Sequence, residues 1–206
     1  MLPLASCHAL DWFSFAVEHH ATDDGARVLP TFRAVVLKTI VTYTVTYFVF
    51  GVLALFAFDY ARLFAETDLR FLMRPITDPM VMAGPLLQPI RGFLFGALLF
   101  MLRETFFATQ WGWLRLWLVL VVFGIFGSPG PAPGSLEGMI YTKLPLWVQL
   151  TGLPEVLLQT LVFSRLVCYW VDHPERRWLS WCLGVVFAVE HALTALGLLA
   201  GRAGIH

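Results

Sequence analysis

The sequence predicts an all-α, polytopic integral membrane helix bundle, and its composition is the main reason. Of its 206 residues, 58% are hydrophobic and only 14% are charged, whereas roughly a quarter of the residues in a typical soluble domain are charged. A chain of this length cannot hide so much apolar surface in one water-soluble core. The formal net charge is zero, which gives nucleic acid no basic surface to bind. The lipid bilayer is therefore the expected partner.

Five apolar runs approach the length of about 20 helical residues that crossing the hydrocarbon requires. The first is rich in Val, Thr, Tyr and Phe, a composition that suits strands in water but is compatible with a helix in lipid. The second contains Pro85, Pro89 and Arg91, so we expect a break in its first half. Pro154 suits the first turn of the fourth helix. The predicted spans are 35–58, 79–102, 111–127, 153–171 and 178–200.

Two segments outside the spans mix aromatic and charged side chains, as interfacial helices do. Residues 1–34 are predicted to form an N-terminal interfacial and cytoplasmic segment, because they lack the uninterrupted apolar core of a secretory signal. Residues 59–74 show a similar mixture and are predicted to lie along the membrane surface. Residues 35–206 then form a single transmembrane domain.

Tryptophans and basic residues indicate how the helices are arranged across the membrane. With five spans, the tryptophans that begin or end the last three spans fall at one interface, where indole rings are favoured. That side also carries seven basic residues outside the spans, against five on the other, which favours a cytoplasmic N-terminus. The chain has only two lysines and no asparagine, a bias typical of GC-rich coding, so we expect a bacterial inner membrane protein. The tryptophans concerned are Trp111, Trp113, Trp170, Trp178 and Trp181.

A Gly/Pro-rich segment, GSPGPAPGSLEG over 127–138, separates the third and fourth predicted spans. Its alternating prolines exclude a regular helix, and the apolar stretch that follows to 150 is too short to cross. Two interpretations are open. One is a surface loop with an interfacial piece. The other is a re-entrant segment whose free backbone groups line a polar cavity, with Glu137, Tyr141 and Lys143 supplying side chains.

Charged side chains within the spans are the most informative feature of the sequence. Each costs about 2.5 to 3.5 kcal/mol in the bilayer centre and needs a partner or a polar cavity. Pairing Arg91 with Glu155 or Glu190 would meet that need, and the pattern Gly92-x-x-x-Gly96 would allow a close helix approach. A histidine beside a carboxylate at such depth can carry protons. The predicted cavity residues are Arg91, Glu155, Gln159, Arg165, Glu190 and His191.

These observations favour a protein that binds or passes an ion, a proton or a small polar solute through a polar intramembrane cavity, either as a homo-oligomer or within a larger membrane complex. Two alternatives stay open: a non-catalytic accessory subunit of such a complex, in which the same charges only brace the helices, and an intramembrane enzyme acting on lipid. No metal, cofactor or catalytic motif is predicted, and we lean against an enzyme. Cys168 and Cys182 could form a bridge across a short turn.

Overall fold

A computed structural model describes residues 29–60, 62–63, 68–71 and 73–202, and this part of the chain is helical without strands. Most of the predicted N-terminal segment therefore lies outside the described residues. A 3₁₀ turn covers Asp68–Phe71, and a π-helical turn, Val122–Phe126, extends α5. The helices are α1 Phe32–Ala57, α2 Pro79–Met82, α3 Gly84–Met101, α4 Arg103–Phe106, α5 Gly112–Val121, α6 Leu136–Tyr141, α7 Leu146–Thr151, α8 Leu153–Asp172 and α9 Arg177–Arg202.

Four helical stretches are long and apolar enough to cross a membrane: Phe32–Ala57, Gly84–Met101, Leu146–Asp172 and Arg177–Ala200. They are compatible with an integral membrane protein, and each overlaps a predicted span. The remaining run, Gly112–Phe126, is apolar but shorter. Its ten α-helical and five π-helical residues extend for about 22 Å, so its crossing stays a prediction.

The predicted break in the second apolar run is confirmed. Asp78 caps α2 by accepting a hydrogen bond from the Met80 backbone N–H at 2.8 Å. The chain then turns at Ala83 before α3 begins. Pro85 lies in the first turn of α3, where its missing N–H costs nothing, whereas Pro89 lies inside the helix. The result is two helices in place of one straight span.

Helices α1 and α3 form a closely packed antiparallel pair. A Cβ atom added to Gly92 would lie 2.7 Å from the Ile40 Cα, and one added to Gly96 would lie 2.8 Å from the Val36 Cα. Only glycine permits backbones to approach so closely. The approach predicted from Gly92-x-x-x-Gly96 is therefore confirmed, and we call this contact the glycine seam.

One end of the bundle, which we call the proximal end, is formed by residues 102–112 and 172–177. There Lys38 donates to the carbonyl oxygen of Trp170 at 2.6 Å, which satisfies one of the free carbonyls at the end of α8. The Asp172 carboxylate accepts from the backbone N–H of Ala108 at 2.9 Å. The Trp170 indole donates to Ser180 Oγ at 3.0 Å and joins α8 to α9.

The opposite, distal end is formed, among the described residues, by 58–60, 62–63, 68–71, 73–83 and 127–152. Within it, the Gly/Pro-rich segment leads into α6 and α7, whose junction is fixed by the buried Gln149. The Gln149 amide donates to Gly138 O at 3.0 Å and to Thr142 Oγ1 at 3.2 Å. Neither helix is long enough to cross a membrane, and the re-entrant interpretation stays a prediction.

The cysteines of α8 and α9 are not bridged. Both thiols are free, that of Cys168 buried and that of Cys182 exposed. The Cys168 Sγ instead lies 3.7 Å from the carbonyl oxygen of Phe106, so it points towards α4 and away from Cys182.

A candidate intramembrane carboxyl site

Glu190 lies in the middle of α9, the last helix that the structure describes. It lies about 20 Å along α9 from Arg177 and about 18 Å from Arg202. Its side chain is 1% exposed. A glutamate at this position is too far from either helix end to extend its charge into water.

The carboxyl group of Glu190 has no hydrogen-bond donor among the described residues, on either oxygen. Nδ1 of the neighbouring His191 lies 3.6 Å from Oε1. Buried carboxylates in proteins normally accept hydrogen bonds or ion pairs, because an uncompensated buried charge is costly. Glu190 is therefore a buried carboxyl group without a donor among the described residues, near the middle of a helix that is long and apolar enough to cross a membrane.

His191 adds a second unused proton-binding atom beside the carboxyl group. Its Nδ1 lies 2.8 Å from the carbonyl oxygen of Phe187, which can only accept, so Nδ1 carries the hydrogen of that bond. The other ring nitrogen, Nε2, is buried and without a partner in the described part of the chain. The ring packs against Phe187 with centroids 4.2 Å apart. The hydrogen bond and the packing fix the imidazole, while Nε2 is left free to take a proton.

A cavity of about 400 Å³ begins one helical turn beyond Glu190 towards the distal end. Leu193, Thr194 and Gly197 form its α9 wall, and they share a helix face with Glu190 because residues three, four and seven apart lie in line. The opposite walls come from α1, α2 and the first turn of α3. The remaining lining residues are Tyr47, Phe48, Gly51, Val52, Leu55, Tyr60, Ile76, Val81, Met82, Pro85 and Glu155.

Glu155 lies at the distal end of this cavity, and unlike Glu190 it has a partner. Its Oε2 accepts a hydrogen bond from the Tyr60 hydroxyl at 2.5 Å. Burial raises the pKa of the Tyr60 phenol above its ordinary value, and the bond to Glu155 adds to the increase. Tyr60 therefore stays a neutral donor at physiological pH. No pattern in the sequence predicts this contact, since the two residues are 95 positions apart.

On the proximal side of Glu190, apolar side chains of α1, α8 and α9 pack against one another. Val45 of α1, Trp170 of α8, and Leu179 and Leu183 of α9 form a buried apolar cluster. Phe187 packs against the same cluster. We call this group the proximal plug, because it fills the region between Glu190 and the proximal end.

The structure does not bring the two arginines of the spans to the acids. Arg91 is exposed and interacts with the Tyr43 hydroxyl. Arg165 is exposed and stacks over the Trp113 ring. Among the described residues, neither forms an ion pair with Glu155 or Glu190. The predicted pairing is thus wrong, since Arg91 meets a tyrosine hydroxyl and Arg165 an indole ring in place of a carboxylate.

The other predicted polar residues lie outside the cavity lining. Gln159 is half-buried one turn after Glu155 on α8, and Glu137 is half-buried in α6. Tyr141 is 72% exposed at the end of α6, and Lys143 is exposed in the turn that follows. No cluster of three or more metal-ligating side chains occurs in the part of the chain that the structure describes.

In comparisons with known proteins, no family model, no curated protein and no solved structure matches the chain. The fold and composition are compatible with an integral membrane protein: four helical stretches are long and apolar enough to cross a membrane, and the Glu190 carboxyl group is buried among the helices.

Proposed function

We propose that this membrane protein binds a proton or a small cation at Glu190 and admits it from the distal end through the cavity. The observation that carries the proposal is the Glu190 carboxyl group, which is buried and has no donor among the described residues. An unpaired carboxylate at membrane depth is strongly disfavoured. Taking up a proton or a cation removes that cost.

The neighbouring groups support a binding role better than a purely structural one. A carboxyl group that only braces helices is expected to be paired with a donor on another helix. Glu190 lacks such a donor, and His191 Nε2 is free beside it. A proton can bind at either group, and neither the Glu190 carboxyl group nor His191 Nε2 has a hydrogen-bond partner among the described residues.

The cavity supplies the route from the distal end. Its volume of about 400 Å³ exceeds that of several water molecules, each of which takes about 30 Å³ in the liquid. Tyr60, Glu155, Tyr47 and Thr194 contribute polar groups along its walls. The proximal plug closes the opposite side, so full passage across the membrane requires a rearrangement of the plug or a route formed between protomers of a homo-oligomer.

The experiment compares purified wild-type protein and Glu190→Gln in liposomes loaded with a pH-sensitive dye. The substitution keeps the size of the side chain and removes its proton-binding oxygen. We expect proton or cation flux driven by an imposed gradient to fall at least about tenfold, since the lost interaction exceeds 1.4 kcal/mol. Glu104→Gln changes an exposed acid in α4 and should keep wild-type flux.

Infrared difference spectroscopy gives an equilibrium measurement on the same two proteins. The wild type should show a protonated-carboxyl band that changes with pH or with added cation, and Glu190→Gln should lack it. Equal flux together with an equal band in both proteins, with folding confirmed by circular dichroism, would refute the proposal.

A further inference from the structure

A second concavity lies on the outside of the bundle, between α5 and α8, and is separate from the cavity beside Glu190. Its volume is about 490 Å³. Apolar side chains of α8 form its floor, and one cation, Arg165, lies among them. The lining residues are Trp113, Leu161, Val162, Arg165, Leu166 and Tyr169. We call it the Arg165 groove.

Arg165 has no anionic partner in the described part of the chain. Its guanidinium carbon lies 5.4 Å from the centroid of the Trp113 ring, in a cation–π contact that leaves its N–H groups without an acceptor among the described residues. Two other cations, by contrast, reach oxygen atoms: Lys38 reaches Trp170 O at 2.6 Å and Arg74 reaches Asp78 Oδ2 at 3.1 Å. The donor groups of Arg165 are thus available to an external acceptor.

The position of Arg165 fits the level of lipid headgroups. It lies seven residues before the end of α8 at Asp172, which corresponds to about 10 Å. A long arginine side chain covers much of that distance by extending towards the interface. Trp113 and Tyr169 beside it are residue types enriched where the hydrocarbon meets the headgroups.

We propose that the Arg165 groove binds an anionic phospholipid from the leaflet at the proximal end. The lipid phosphate accepts hydrogen bonds from the Arg165 guanidinium, whose planar fork suits phosphate oxygens. One acyl chain lies along the apolar wall formed by Leu161, Val162 and Leu166. Charge complementarity selects this occupant, because an apolar helix of a partner protein would leave the arginine without a counter-charge.

The test measures lipid retention by native mass spectrometry of protein purified in a neutral detergent. Phosphatidylglycerol and phosphatidylcholine with identical acyl chains are offered in equal amounts. We expect the wild type to retain phosphatidylglycerol up to about tenfold better, because both lipids offer the same phosphate but the choline of phosphatidylcholine adds a positive charge that the guanidinium repels. Arg165→Gln should abolish the preference, whereas Arg165→Lys should keep part of it.

Two further variants separate the groove from general effects of charge. Arg91→Gln removes another exposed arginine of a spanning helix, one that does not line the groove, and should leave the preference intact. Leu161→Trp fills the apolar wall and should reduce retention of both lipids while leaving Arg165 in place.

Three results would overturn the proposal: equal preference in wild type and Arg165→Gln, an equal loss in Arg91→Gln, or displacement of the lipid by glycerol phosphate at the same concentration. The last result would mean that the site binds a soluble anion and does not recognise the acyl chain. None of these results bears on Glu190, which lies on a different helix.

Discussion

The two halves of α1 meet their neighbours in opposite ways. Its first half contacts α3 along the glycine seam, where added Cβ atoms would lie 2.7 and 2.8 Å from backbone atoms of Ile40 and Val36. Its second half faces the cavity, and a Cβ on Gly51 would meet nothing within 4 Å. The difference arises because α3 begins only at Gly84, after the turn that follows α2, so no straight helix continues along the second half of α1.

This difference indicates how a short chain can combine closely packed helices in one region with a cavity in another. Helices in lipid associate through van der Waals packing and polar contacts, without a hydrophobic force between them. Close packing at the seam and in the proximal plug therefore holds the helices together. The break at Ala83 separates them at the distal end, and the space appears there.

The largest expected loss of stability comes from adding side chains at the glycine seam. Gly92→Ala combined with Gly96→Ala forces α1 and α3 apart, and we expect the free energy of unfolding to fall by about 2 kcal/mol or more, since overpacking typically costs 1 to 3 kcal/mol per site. The gain in helix propensity offsets only part of this. Unfolding with increasing SDS in mixed micelles measures the change.

Gly51→Ala is the matched control on the open half of the same helix. Because its Cβ meets open space, we expect no loss and a gain of up to about 1 kcal/mol from helix propensity. Equal stability of the seam double variant and this control would contradict the role given to the seam.

A smaller effect is expected from the polar contact at the cavity end. Tyr60→Phe removes the donor that bonds Glu155 at 2.5 Å and leaves a half-buried carboxyl group with one donor fewer. We expect a loss of about 1.5 kcal/mol at neutral pH, the size of a hydrogen bond to a charged group. The same SDS titration measures it, and Tyr141→Phe, which alters an exposed tyrosine, should show no change.

The smallest effect concerns the turn that redirects the chain at α2. The Met80 backbone N–H and then the Arg74 side chain lower the pKa of the Asp78 carboxyl group from its ordinary 3.8. A carboxyl group whose pKa is depressed by folding stabilises the folded state above its ordinary pKa, and this contribution disappears as the pH falls through the depressed value. Stability of the wild type should therefore decline slightly below about pH 4.

Asp78→Asn tests this assignment, because asparagine can still cap α2 but does not titrate. Its thermal unfolding should lack that part of the acid dependence. An acid profile identical to the wild type would show that Asp78 does not contribute to it.

The helical stretches were predictable because each is bounded by charges, prolines or tryptophans, and the seam was predictable because glycines spaced four apart lie on one helix face. The pairing of ions was not. Periodicity shows which residues of one helix share a face, but it does not show which neighbour that face meets. Arg91 lies next to Gly92 in sequence, and its side chain meets Tyr43 of α1 and neither acid.

The contacts of the distal end were beyond prediction for another reason. Tyr60 reaches Glu155, and Gln149 reaches Gly138, through loops whose paths depend on the finished bundle. The local sequence around Tyr60 or Gln149 does not indicate which residue accepts its hydrogen bond. The lack of a partner for Glu190 was likewise visible only once the surrounding helices were in place.

The glycine seam also has a practical consequence for handling the protein. Contact between α1 and α3 depends on atoms touching along two backbones, so exchanging bilayer for detergent changes little of what stabilises it. During extraction these two helices should stay associated as a protease-resistant hairpin after the other spans have loosened, and a fragment ending near Met101 is the natural unit for refolding.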